Sequence, residues 1–92
     1  GDIRLDSETR RVTRAGQEIA LSALEFRLLA TLMERPGRVL GREWLLDQVW
    51  GRDIHVETRT VDVHMGRLRK ALRGTGGDDP LRTVRGVGYA LG

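Results

Sequence analysis

Val61, Met65, Leu68 and Leu72 recur at i, i+4, i+7 and i+11 in a segment running from Arg59 to Arg73. That spacing marks one seam of an α-helix, whose repeat is about 3.6 residues. The seam is narrow, so such a helix lies on the surface of a core and leaves most of its circumference outside it. At about 100° per residue, Arg59, Val63, Gly66, Arg67 and Lys70 fall on the outer half. Thr60 and His64 flank one side, Asp62 and Arg69 the other. Any fold this chain adopts must therefore present a basic helix face to solvent or to a partner.

The segments around that helix follow shorter signals. Ile3 and Leu5, then Val12, then Ile19 and Leu21 are separated by the turn-forming Asp6-Ser7-Glu8 and Ala15-Gly16, which predicts a small antiparallel sheet. Ser22-Ala23-Leu24-Glu25 is a capping box, in which the serine oxygen accepts from the third amide and the glutamate reaches back. It starts a first helix carrying Phe26, Leu28, Leu29, Leu32 and Met33, with Leu21 and Phe26 placed as a hydrophobic staple, up to Pro36-Gly37. A shorter helix is predicted from Arg42 to Trp50, between Gly41 and Gly51. Its loop continues through Arg52 to Val56. Beyond the basic helix, Gly74 to Pro80 reads as a flexible link. Arg82-Thr83-Val84-Arg85 and Tyr89-Ala90-Leu91 then flank Gly86-Val87-Gly88 as a hairpin.

A chain of 92 residues, 39% of them hydrophobic, supports one modest core and hence one domain, residues 1–92. It contains no cysteine, which excludes disulfides and thiolate metal sites and agrees with a cytoplasmic origin. No apolar run reaches the roughly 20 residues of a membrane span, and Gly1-Asp2-Ile3-Arg4 has neither the basic start nor the apolar stretch expected of a signal peptide. The start at Gly1, without methionine, is expected of a segment from a longer protein. The net charge is +3, and its distribution is uneven: from Thr58 onward seven basic residues face three acids, so the whole excess lies in the last third. Such a concentration fits a polyanion, although a basic helix face by itself is equally compatible with plain solvation.

The order of elements tips that balance. A short helix, a glycine-ended turn, a basic amphipathic helix and a hairpin with an arginine at its tip make a helix-turn-helix with a wing. An outward arginine suits bidentate bonding to guanine in the major groove, an outward valine suits a thymine methyl, and flanking Arg, His and Thr suit phosphates. Arg85 at the hairpin tip suits the narrow minor groove, where negative potential attracts guanidinium.

Four motifs sharpen the reading. Val49-Trp50-Gly51-Arg52-Asp53, Thr58-Arg59-Thr60-Val61-Asp62-Val63-His64, Arg67-Leu68-Arg69-Lys70-Ala71-Leu72 and Arg82-Thr83-Val84-Arg85-Gly86-Val87-Gly88-Tyr89 closely resemble the effector domain of OmpR/PhoB-type response regulators. The resemblance covers nearly the whole chain. It implies an α+β winged helix-turn-helix with a four-stranded antiparallel N-terminal sheet, three helices and a C-terminal β-hairpin wing, joined in the parent protein to a receiver domain. It also implies head-to-tail tandem binding to direct-repeat double-stranded DNA and a contact between the loop joining the second and third helices and the RNA polymerase sigma factor. By position it makes Arg67 the base reader, with Val63 in apolar contact and Arg85 in the minor groove. Arg42, Arg59, Thr60, His64, Arg69, Lys70 and Thr83 become phosphate contacts, and Glu43, Trp50 and Gly51 form the sigma surface. Two positions depart from the pattern: Gly66 where some relatives carry arginine, and Thr58 where an acid is common.

Competing chemistries find little support. Gly86-Val87-Gly88 lacks the third glycine of a dinucleotide fingerprint, since Leu91 occupies that place and no helix follows. His55 and His64 have no partners at metal-ligand spacing, so no cofactor is expected. Ser7 and Ser22 are the only serines, Ser22 serves as a cap, and no paired base accompanies Ser7, so no enzyme is expected. The rival readings are a winged helix that binds a protein through its third helix and a nonspecific nucleic-acid binder.

Overall fold

A computed structural model describes residues 2–52 and 55–92. The chain opens with three short strands, β1 (Ile3–Asp6), β2 (Arg11–Arg14) and β3 (Gln17–Ile19), paired antiparallel in sequence order. Leu5, Val12 and Ile19 stand opposite one another across the three strands, with Val12 and Ile19 buried, so the alternation seen in sequence becomes the inner face. Ala15 and Gly16 both have positive φ, as a tight two-residue hairpin turn requires.

Helix α1 (Ala23–Glu34) begins as expected: the Glu25 amide donates to Ser22 Oγ at 3.2 Å and the Ser22 amide donates to Glu25 Oε1 at 3.4 Å. Two of the otherwise orphaned first-turn donors are thereby satisfied. Its buried face, Phe26, Leu28, Leu29 and Leu32, packs on α2 (Arg42–Val49) and α3 (Arg59–Arg73). Val61, Met65, Leu68 and Leu72 are all essentially inaccessible, and with Leu45 and Val49 they complete the helical core. Helix α2 ends one residue before the expected boundary: Trp50 is its cap, and Gly51 follows at φ +103°. Asp53, the last residue of the first family motif, and Ile54 lie outside the described residues.

A second sheet closes the fold, with order β4 (Leu40–Gly41), β6 (Gly88–Leu91), β5 (Leu81–Val84). The N-terminal sheet thus has three strands among the described residues where the resemblance implied four; the additional two-residue strand β4 pairs with the C-terminal hairpin instead. Strands β4 and β6 approach so closely that a Cβ on Gly88 would lie 1.9 Å from the Leu40 carbonyl oxygen. Only glycine fits there.

The link from Gly74 to Pro80 is less free than its glycines suggest. Arg14, only 4% exposed, donates Nη1 to the Leu72 carbonyl at 2.8 Å and Nη2 to the Asp78 carbonyl, with Nε 3.2 Å from Asp2 Oδ2. One buried guanidinium thus caps the C-terminal end of α3, where the helix dipole favours a cation, and holds the link beside it.

Candidate nucleic-acid interface

Helix α3 carries two populations of polar side chain. Arg59, Arg67 and Lys70 are exposed and make no side-chain hydrogen bond or ion pair among the described residues. Val63 between them is 49% exposed, a large apolar side chain left in water on a basic surface. Gly66 sits in the same outward group with open space around it. These residues are outward because the four-residue apolar seam fixes the helix rotation, as the sequence implied.

The other population is interlocked. Asp62 receives Arg42 Nε on Oδ1 at 3.1 Å and Arg42 Nη2 on Oδ2 at 2.5 Å, and the Tyr89 hydroxyl donates to Oδ1 at 2.6 Å. One carboxylate thus joins the start of α2, the first turn of α3 and strand β6. Burial first, then the hydrogen bond to Asp62 and its negative charge, push the Tyr89 phenol up to about 12. About two turns further along α3, Arg69 Nη2 donates to Thr83 Oγ1 at 2.9 Å and to the Leu81 carbonyl at 3.3 Å. Its buried Nε faces Asp79 Oδ2 at 2.9 Å, close enough for an ion pair without the alignment of a hydrogen bond. Arg42 and Arg69, expected at phosphates, are therefore already engaged within the fold, and Thr83 is the acceptor of Arg69. The Thr83 hydroxyl keeps its own proton for an outside acceptor.

His64 belongs partly to each population. Its Nδ1 lies 3.0 Å from the Thr60 carbonyl, which can only accept, so the ring donates there and Nε2 is left for other partners. The edge of the ring meets Trp50 at 5.2 Å between centroids, which fixes its orientation and ties Trp50 to α3. Trp50 also packs on the core cluster. The three residues expected as a sigma surface are not brought together: Glu43 is exposed in the first turn of α2, while Trp50 and Gly51 lie beyond its far end, about 10 Å away along the axis.

The hairpin of β5 and β6 stands beside α3 with its turn at Arg85, Gly86 and Val87. Gly86 takes φ +74°, Arg85 is exposed, and Val87 is 53% exposed. Between this turn and α3 lies a cleft of about 210 Å³ lined by Arg42, Asp62, Thr83, Arg85 and Tyr89, among others. Sequence reasoning placed its cations but not the partners of those cations. The one available signal was that Asp62 is the sole acid on an otherwise basic helix. No cluster of metal-ligating side chains occurs among the described residues, and no helix is long and apolar enough to cross a membrane.

Three helices, a β-hairpin packed at the side of the third and a basic outward face on that helix define a winged-helix DNA-binding domain. Residues 16–91 match the family model described as "Transcriptional regulatory protein, C terminal". The phosphate regulon transcriptional regulatory protein PhoB of Rhizobium meliloti (strain 1021) is 60% identical over 91 residues, covering 99% of this chain and 40% of that protein. The DNA-binding domain of the response regulator AdeR, solved in complex with an intercistronic region, superposes with a TM-score of 0.90 at 31% identity, covering 99% of this chain and 94% of that one. The Klebsiella pneumoniae RstA DNA-binding domain, solved with the RstA box, gives 0.85 at 33% identity, covering 99% and 91%. The chain belongs to this family of transcriptional regulators, as an OmpR/PhoB-type response regulator DNA-binding domain. It spans about 40% of the length of the R. meliloti relative.

Proposed function

We propose that this domain reads direct-repeat DNA in phosphate-responsive promoters and acts there as the activating output domain of a cytoplasmic two-component regulator. Helix α3 enters the major groove, Arg67 bonds a guanine edge, Val63 meets a thymine methyl and Arg85 enters the minor groove. Arg59, Thr60, Lys70 and Thr83 hold phosphates. His64 joins them through Nε2 when its ring is protonated, because a phosphate oxygen only accepts. Arg42 and Arg69 reach phosphates only with the atoms their internal partners leave over. Two copies bind head to tail, a receiver domain precedes this one in the parent protein, and Glu43, Trp50 and Gly51 face the sigma factor, with Glu43 separate from the other two. The observation that carries this reading is the row Arg59, Arg67 and Lys70 around exposed Val63, unpaired among the described residues: cations without such partners on a helix face are available to a polyanion. The phosphate assignment rests on the R. meliloti relative.

Titration of duplexes with and without a direct repeat, over a range of salt, tests it. Log affinity should fall with log salt by about 0.9 for each phosphate held. Arg67→Ala should remove discrimination worth about 1–3 kcal/mol at one base position. A flat salt response would exclude phosphate binding, and equal affinity for every duplex would leave a nonspecific binder.

A further inference from the structure

An acid on a helix that enters the major groove faces the phosphates of the duplex, and like-charge repulsion weakens binding. Asp62 is the only such residue on α3. Its carboxylate is held by Arg42 from α2 and by the Tyr89 hydroxyl from β6, so it joins the recognition helix to the wing. With Thr83 and Arg85 these side chains line the cleft between the two. The major and minor grooves are separated by one sugar–phosphate strand. A domain with a helix in one groove and a wing in the other must straddle that strand at this cleft. The distance between α3 and the wing then decides whether both grooves can be occupied at once.

We infer that Asp62 is a positioning residue for DNA recognition: it bonds no DNA itself, and through Tyr89 and Arg42 it fixes the wing at the spacing that lets Arg85 and α3 engage adjacent grooves together. The inference rests on the DNA-reading function proposed above. It has an unusual sign. Removing a negative charge from a DNA-binding face should tighten binding on electrostatic grounds alone, whereas loss of a positioning residue weakens it.

The experiment is a double-mutant cycle. Affinities of the wild type, Asp62→Asn, Arg85→Ala and the double variant are measured on a direct-repeat duplex and on an unrelated one. Asp62→Asn should weaken the direct-repeat duplex by about tenfold, in the range of couplings between neighbouring residues, and leave the unrelated duplex unchanged or tighter. Arg85→Ala should cost clearly less in the Asp62→Asn background than in the wild type, a non-additivity that a general loss of stability would not produce. Equal or tighter binding of the direct repeat by Asp62→Asn, or the same cost of Arg85→Ala in both backgrounds, overturns the inference. Should Asp62→Asn fail to fold by circular dichroism, Tyr89→Phe replaces it, deleting only the phenolic donor. A smaller cost of Arg85→Ala in the Tyr89→Phe background than in the wild type then supports the role, and the same cost in both overturns it. Wild-type discrimination between the duplexes is read first, so failure of the DNA reading is seen separately from failure of the inference.

Discussion

The outward row of α3 and its seam with the wing draw on the same residue types for opposite purposes. On the row, Arg59, Arg67 and Lys70 have no partner among the described residues and surround Val63; along the seam, Arg42 and Arg69 are locked to Asp62, Asp79 and Thr83. A free guanidinium is available to a partner but gives the fold nothing. A paired one steadies the fold and gives a partner only its remaining donors. The difference shows that the charge of a basic helix does not measure its binding surface. What matters is which cations the fold has already engaged.

The seam breaks most sharply at Gly88. A methyl there would sit 1.9 Å from the Leu40 oxygen and 2.7 Å from its carbon, both backbone atoms that cannot step aside. Gly88→Ala should therefore separate β4 from β6 and destabilise the domain by about 3 kcal/mol, near the upper end of overpacking costs. Thermal melting would register this as a fall of more than ~10 °C for a domain of this size. A loss of only a degree or two would mean that the wing is not anchored through β4. DNA affinity should fall with it, because the wing carrying Arg85 is displaced.

A smaller break comes at Tyr89, the only tyrosine of the chain. Tyr89→Phe deletes the bond to Asp62 and should cost about 1.5–2 kcal/mol at neutral pH, as expected for a hydrogen bond to a charged group. The phenol is raised from 10.0 to about 12 in the fold. A raised folded value means that the contribution is complete below pH 10 and is lost as pH climbs toward 12. Urea unfolding of both proteins from neutral pH to about 11.5 should show the gap between them narrowing above pH 10. Parallel curves would show that the hydroxyl is not bonded to Asp62 in solution.

Much of the outward row was legible in sequence, because it follows from local periodicity. Val61, Met65, Leu68 and Leu72 set the rotation of α3, and the Ser22–Glu25 box set the start of α1. The seam was not legible. Asp62 meets Arg42 and Tyr89 across 20 and 27 residues, and Arg14 meets Leu72 across 58, so each pairing exists only once the helices have packed. The same distance hides β4, whose two residues are too short to show alternation and, among the described residues, pair with β6. The link from Gly74 to Pro80 misled for a related reason. Its glycines report the freedom of an isolated segment, while Arg14 and Arg69, from elsewhere in the chain, restrain it.

Gly66 offers the gentlest contrast, since it is the outward row's counterpart to Gly88. It lies mid-helix, and a Cβ there would meet nothing within 4 Å. The fold gives no reason for glycine at this position, so Gly66→Ala should stabilise the domain by roughly 1 kcal/mol through helix propensity, a rise of ~4–8 °C in melting temperature. On the proposed reading alanine leaves DNA affinity and its salt slope unchanged, since no contact is made or lost. Arginine at the same position should add a phosphate contact and steepen the slope by about 0.9. A stabilised alanine variant that bound every duplex more weakly would show that DNA lies against the bare helix backbone at Gly66. The outward row would then be shaped by close approach as well as by charge.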